Sequence, residues 1–598
     1  MAATEEKTPS QEDTDRSEAV QELGKHHSND VVAEKQTATG GASDLPHGFR
    51  LVSIVVAITF SIFLMSLDQT IVATAIPKIT DEFGGLDKVS WYGSVYFMTF
   101  GGFQSAWGKF YRYYPLKWTF VATMCVFEVG SLICGVAPNP VALIVGRAIA
   151  GVGGAGITTG GFTIIAFSAS DKKRPMLTGI VGAVYGIGSV CGPILGGALT
   201  EGATWRWCFY INLPIGIVAA IGVALFFKAP SAAQPMPAPL KENLLQLDLP
   251  GVVLAMAAIV CFILGIETGG QTKPWNNSEV IGLLVGFIVI LAALIGWEAY
   301  QGEYAMIVPR LFMKRVIGVG AIFQFCYAGA YFLLFYYLPI YFQSIDGSSP
   351  IESGVRNLPM VLAVSVAGII GGTVVSKTGI TTPFMIAGAA VTTVGCGLLY
   401  TIDIGTSSGK WIGYQILTGF ASAFPFQITM NIAQANSEPQ DMSSATAIIF
   451  FFQTLGGAFS VAAAQSAFVN TIVKDLTGNS LGIDPAKVIA TGATQIRESF
   501  PSNQLDAILR AYMAGIKAAF IISIALAGVL RTDKTPLHDK DGMTASKARR
   551  DPQGPLGPRS RNGSWQTASK QDHSLSNNPG PRIIGITIIL GIQEKDHT

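Results

Sequence analysis

Residues 182–200 read GAVYGIGSVCGPILGGALT, and they place Gly188, Gly192, Pro193, Gly196 and Gly197 inside one apolar segment of membrane-spanning length. Glycines four apart share a helix face and let a second backbone approach closely. Proline removes an intrahelical hydrogen bond, so the same segment can pack tightly and bend. Small residues recur at membrane-helix contacts in general, and an isolated GxxxG therefore indicates packing alone. The complete GxxxGPxxGG pattern is more specific.

The rest of the chain fits a membrane setting. Of its 598 residues, 49% are hydrophobic and 13% charged, and the mean hydropathy is +0.43, which is too apolar for a soluble protein of this length. Net charge is +1 and says little about partners, because what matters in a bilayer is how charge is divided between loops. His26, His27, His47, His538, His573 and His597 all lie in polar tails, which argues against a histidine metal site or proton relay between the spans. The seven cysteines are scattered through apolar segments without CxxC spacing and read as buried small hydrophobes. No metal and no cofactor is implied.

Apolar stretches of about 18 to 26 residues recur along the chain. Six lie near 51–76, 91–108, 118–137, 141–167, 176–199 and 208–227, two near 249–268 and 280–300, and six near 316–342, 357–376, 383–402, 411–434, 445–470 and 511–530. The expected fold is an all-α polytopic membrane protein of fourteen spans, arranged six, two, six. Residues 1–48 and 531–598 are expected to be disordered cytosolic tails. Between them come a bundle at 49–228, a linker at 229–248, two additional spans within 249–300, and a second bundle at 301–530 with a long outer loop at 471–510. The last span has the weakest signal, because 511–530 is only just long enough and contains Lys517.

Basic residues in short loops set the expected orientation. With the N-terminus inside, the cytosolic loops hold Lys109, Arg112, Lys117, Lys172, Lys173, Arg174, Lys228, Lys241, Arg310, Lys314, Arg315 and Lys377; the outer loops, leaving out the long one at 471–510, hold Lys78, Lys88, Arg206, Lys273, Arg356 and Lys410. Both termini are thus expected in the cytosol. Loop 435–444 dissents, carrying Glu438 and Asp441 with no basic residue. Asn276-Asn277-Ser278 is a glycosylation acceptor on an expected outer loop.

Ionisable groups inside spans are costly and therefore mark functional candidates, with helix pairing as the structural alternative. They are Asp68, Glu128, Arg147 and Lys517. Counted from the expected outer ends, Asp68, Glu128 and Arg147 share one depth, roughly 9 to 13 Å below the surface at about 1.5 Å per residue. If the helices adjoin, Arg147 can pair with either acid and leave the other desolvated and proton-accepting. A static ion pair holding three helices together is the alternative. The second half offers Gln324, Gln427, Asn431 and Gln453 with Tyr327, Tyr331, Tyr336 and Tyr337, a set suited to a large, mostly apolar ligand held by a few hydrogen bonds. Tyr96 and Gln104 from the first half complete the candidate cavity, and interhelical bonding explains any one of these residues equally well.

Several segments carry a family resemblance. The glycine-proline stretch resembles the fifth-span antiporter motif of exporters in the major facilitator superfamily. LDQTIVATAIPKI (67–79) resembles the first-span signature of its fourteen-span drug:proton antiporters, with Asp68 at the acidic position. LIVGRAIAGVGGAG (143–156) resembles their fourth-span motif, whose arginine, here Arg147, is implicated in proton coupling. WRWCFYINLPIG (205–216) and YYLPIYFQSIDGSSPIESGVRNLP (336–359) are similar to segments of fungal toxin and multidrug efflux pumps. One departure stands out: the gate loop usually reads GxxxDRxGRR and here reads GKFYRYYPLK (108–117). Gly108 and Lys117 remain, while Arg112 replaces the aspartate and Pro115 the second glycine; Lys109 is a further candidate residue of this loop. The lock that the aspartate helps to form in that family must then use other chemistry or be weaker.

What the resemblance implies is a proton-coupled exporter of a toxin, secondary metabolite or drug, working as a monomer in the cell membrane, with a vacuolar or vesicle membrane as the other setting. An importer of the same superfamily, for example for siderophores, and a non-transporting receptor are the alternatives. There is no GxxxxGK[ST] loop for ATP, no His cluster or Ser/His pairing for enzyme chemistry, and nothing that suggests a nucleic-acid partner.

Overall fold

The structure is a computed structural model that describes residues 46–83, 89–236, 239–477, 482–491 and 495–529. The expected disordered tails lie outside the described residues apart from 46–48. Fourteen long helices follow one another among the described residues: α1 (Phe49–Phe83), α2 (Val89–Tyr113), α3 (Leu116–Gly135), α4 (Pro140–Ser168), α5 (Arg174–Gly202), α6 (Asn212–Phe226), α7 (Leu249–Thr268), α8 (Ser278–Gln301), α9 (Arg315–Ser344), α10 (Pro350–Thr378), α11 (Thr382–Tyr400), α12 (Ser408–Ala435), α13 (Met442–Thr477) and α14 (Ser502–Val529).

Among the described residues thirteen stretches are long and apolar enough to cross a membrane, which makes the chain a multi-pass membrane protein. The count of fourteen spans differs by one helix, α2, which has 25 residues but is more polar. Its interior carries Tyr92, Tyr96, Thr99, Gln104 and Lys109, all buried by neighbouring helices, so polarity that would be costly against lipid is spent on inward contacts. Most helices also outrun their apolar stretches, because hydropathy marks the hydrocarbon layer whereas backbone hydrogen bonding continues past it. The region 471–510 is shortened in this way: α13 runs to Thr477, α14 starts at Ser502, and short helices Pro485–Ala490 and Ile496–Ser499 lie between.

Local sequence explains several boundaries. The Asn139 side chain accepts a hydrogen bond from the Ala142 amide and Pro140 follows at the first helical position, which together start α4. Gly379, at φ 69°, ends α10 in the left-handed region where a Cβ would be strained.

Packing follows small residues. α5 lies along α1 on one side and α10 on another, α2 lies against α4 and α13, and α9 against α13 and α14. α8 is the least buried of the apolar spans, as expected of a helix that faces lipid.

Candidate functional site

α1 contributes Asp68 and α4 contributes Arg147, and both side chains are fully buried. One Arg147 amino group donates to Asp68 Oδ2 at 2.6 Å, and Arg147 Nε donates to the Tyr92 carbonyl at 3.0 Å. The guanidinium lies 4.3 Å from the centre of the Tyr96 ring, which shields the cation on its α2 side. The remaining Asp68 oxygen accepts from Asn212 Nδ2 at 3.1 Å, and the same amide donates to Ser131 Oγ at 3.1 Å. Of the two pairings the sequence left open, Arg147 takes Asp68.

Glu128 is left without a hydrogen-bond partner on either buried oxygen. It sits one turn before Ser131 on α3 and presses on Gly216, one turn after Asn212 on α6; a Cβ at Gly216 would lie 1.6 Å from Glu128 Oε1. Asp68, Asn212, Ser131 and Glu128 therefore run as one polar track between α1, α3 and α6. Asn212 and Gly216 escaped the sequence reading although both stand in the quoted 205–216 segment, since a lone amide and a lone glycine carry no spacing signal.

The glycine motif supports this site from behind. A Cβ at Gly188 would lie 3.0 Å from Ser66 Cβ, one at Gly192 would lie 2.0 Å from Thr70 Oγ1 and 3.0 Å from the Ile71 nitrogen, and one at Gly196 would lie 2.3 Å from Thr74 Oγ1. These three glycines press on α1 at positions 66, 70 and 74, roughly 200° around the helix from Asp68, at about 100° per residue. Gly197 faces elsewhere, with Ile351 of α10 at an ordinary 3.7 Å. Pro193 sits inside α5 without ending it. Near Asp68, Tyr185 of α5 donates to Gln69 Oε1 at 2.9 Å.

At the end of the molecule that carries loop 108–117, a Cβ at Gly108 would meet Ala447 Cβ at 2.5 Å, so α2 and α13 touch there. Arg112 donates to Asp441 at 3.0 Å, with the two side chains 8% and 0% exposed. Arg310 takes the same carboxylate at 2.9 and 3.1 Å and also reaches Glu303 at 2.7 Å. Here the basic group stands on α2 and the acid ahead of α13. Asp441, the acid that made loop 435–444 dissent, is consumed by two arginines. Lys109 is 1% exposed and donates to Gln246 Oε1 at 3.0 Å and to the Glu303 carbonyl. Lys117 stacks near Trp118, its ammonium 5.5 Å from the ring centre.

Apart from Tyr96, which lies on the Arg147 guanidinium, the candidate cavity residues fall into four places. Gln104 accepts from Thr454 of α13 at 3.2 Å, and Gln324 donates to Gln453 at 3.0 Å between α9 and α13. Gln427 and Asn431 of α12 line a crevice of about 10 Å³ with Pro175, Gly368 and Gly372, and Asn431 accepts from Thr178 of α5 at 3.3 Å. The Tyr327 hydroxyl meets Thr392 of α11 at 2.8 Å, and its ring packs on Phe426 of α12 with centres 5.7 Å apart. Lys517 is not isolated in its span: it donates to Asp403, after α11, at 2.6 Å, and this bond holds the Asp403 carboxyl below its usual range. Asn276 is exposed, and Asn277 caps α8 by accepting from the Glu279 amide at 2.9 Å.

Comparison with known proteins agrees with this architecture. The chain is 58% identical to the MFS-type transporter grgE of Penicillium sp, over 91% of this chain and 97% of that protein. It is 54% identical to the probable efflux pump gsfJ of Penicillium aethiopicum, over 83% of this chain and 89% of that one. Among solved structures it resembles the proton:xylose symporter XylE with a TM-score of 0.52 at 11% identity, covering 81% of this chain and 96% of that chain, a likeness of fold alone. Residues 58–461 match the family model described as Major Facilitator Superfamily, and this chain belongs to that superfamily.

Proposed function

We propose that the chain is a secondary active exporter that moves a small amphipathic or apolar molecule, of the toxin, secondary-metabolite or drug type, out of the cell in exchange for protons. The observation that carries this reading is the unequal treatment of two acids: Asp68 holds Arg147 and Asn212, while Glu128, at the other end of the same polar track, has no partner. Protonating Asp68 would free the Arg147 guanidinium from the one carboxylate it holds among the described residues and loosen α1 from α4. Glu128, already desolvated, is the group better suited to pick up the first proton. Asn212 can rotate between carboxylate and hydroxyl and so link the two acids.

That the relative gsfJ is a probable efflux pump supports the outward direction. The basic loops support both termini in the cytosol, which makes the Gly108, Lys109, Arg112 and Lys117 end a cytosolic gate and puts the exposed Asn276 outside as a glycan acceptor. In this reading α2 is a fourteenth span, and Tyr96, Gln104, Gln324, Tyr327, Gln427, Asn431 and Gln453 serve a substrate cavity between the two bundles. The cell membrane is the proposed site of action, and one chain suffices.

The test is reconstitution in proteoliposomes with an imposed pH gradient and a panel of amphipathic dyes. Dye movement should collapse when the gradient is dissipated, and Asp68→Asn should abolish it while the protein still inserts. Undiminished pH-driven movement in Asp68→Asn would overturn the proposal.

A further inference from the structure

The two additional helices are built into the gate. α7 straddles the seam between α2 and α13: a Cβ at Gly102 of α2 would lie 2.5 Å from Met256, and Phe262 stacks on Phe459 of α13 at 4.2 Å. Ala106, Val252, Ala255, Leu294, Met306 and Phe451 form one buried cluster across this seam. The base of the insert is knotted by Asp248, 1% exposed and held at φ 44°. Its carboxylate accepts from the Gly251 amide at 3.1 Å, Trp297 Nε1 at 2.7 Å and the Met306 amide at 2.7 Å. The Glu298 carboxylate adds the Ile307 amide at 2.9 Å.

The polar ties form a closed ring. It runs from Lys109 on α2 to Glu303, from Glu303 to Arg310, from Arg310 to Asp441, and from Asp441 to Arg112, one turn from Lys109 on the same helix. The ring is unequal. On the α9–α14 side the insert has a charge-paired bond between Arg310 and Asp441 and a short covalent connection into α9, which starts at Arg315. On the α2 side its one charged tie among the described residues is Lys109, bonded to a neutral amide and a backbone carbonyl, with Glu303, Glu298 and Asp248 as the carboxylates that attract it and a single backbone bond from the Met236 amide to the Arg112 carbonyl at 3.1 Å beside it. Charge-assisted bonds between two ions hold better than an ammonium on neutral acceptors.

We propose that Lys109 is the release point of this end of the molecule, a positioning residue for the opening step, and that α7 and α8 travel with α9–α14 when α2 parts from α13. This rests on the transport reading above, but its test reads conformation rather than transport, so the two fail separately. The full chain in nanodiscs would carry spin labels on encoded unnatural residues at Trp118, Leu245 and Gln440, which are exposed, and distances would be read by pulsed dipolar spectroscopy. Lys109→Met should raise the long-distance population for the 118–440 and 118–245 pairs several-fold and leave 245–440 unchanged, while Lys109→Arg should keep the native distribution. A 118–440 distribution unmoved by Lys109→Met, or a 245–440 distance that lengthens along with it, would overturn the proposal.

Discussion

Arg112 and Asp441 meet at 3.0 Å across the seam between α2 and the turn ahead of α13, buried on both sides. Asp441 is wholly buried and shared, whereas Arg310, its other partner, is 42% exposed, so water already screens much of that contact. Asp441→Asn and Arg112→Gln should each favour the open seam by about 2 kcal/mol, on the order of 30-fold, because either change leaves a buried charge short of its counter-ion. Arg310→Gln should have less than half that effect. The readout is the reaction rate of a thiol at Ser443→Cys, a buried position on α13 beside Gly108, with an impermeant maleimide. An Arg310→Gln effect as large as that of Arg112→Gln would contradict this ranking.

Asn212 touches both Asp68 and Ser131, so its removal should uncouple the two acids without deleting either. Asn212→Leu should lower pH-driven turnover about tenfold, roughly 1.4 kcal/mol, and flatten its dependence on external pH. Gly216→Ala should act in a similar way by displacing Glu128. A pH profile of native shape in Asn212→Leu would remove the amide from the proposed path.

The glycines of the opening motif should not be equivalent. Gly192→Ala places a Cβ 2.0 Å from Thr70 Oγ1 and 3.0 Å from the Ile71 nitrogen, and the backbone contact cannot give way; Gly197→Ala meets Ile351 at 3.7 Å. Gly192→Ala should cost about 1 to 3 kcal/mol and several degrees of thermal stability, with a matching loss of transport. Gly197→Ala should behave like the native chain in both assays.

Beyond the apolar part of α1, Arg206 donates twice to Glu82 at 2.9 Å and Trp205 Nε1 once at 2.7 Å. The Arg206 bonds first, and Trp205 next, hold the Glu82 carboxyl below its ordinary 4.5. A depressed carboxyl contributes stability above the unfolded-state value and loses it as pH falls through the folded-state one. Glu82 is 44% exposed, so the contribution is small, about half a kcal/mol. Glu82→Gln should lower the melting temperature by a degree or two at neutral pH, and scans in steps toward acid should show that difference closing below about pH 4.5. A difference that persists into acid would assign it to packing.

Much of the fold and half of the candidate site were legible in the chain itself. Apolar runs of membrane length dictate spans because lipid offers no partner to the backbone, and charges are so costly there that Asp68, Glu128 and Arg147 stood out from their position alone. The opening stretch, 182–200, likewise announced a close helix contact through its glycine spacing. Only the tertiary structure decided which acid Arg147 takes, that Gly188, Gly192 and Gly196 back the helix of Asp68 instead of facing its carboxylate, and that Arg112 finds its acid 329 positions away at Asp441. Helix rotation and long-range pairing set these outcomes. Local residue patterns constrain what each helix turns toward lipid, while the partner it meets inside depends on every other helix packed around it.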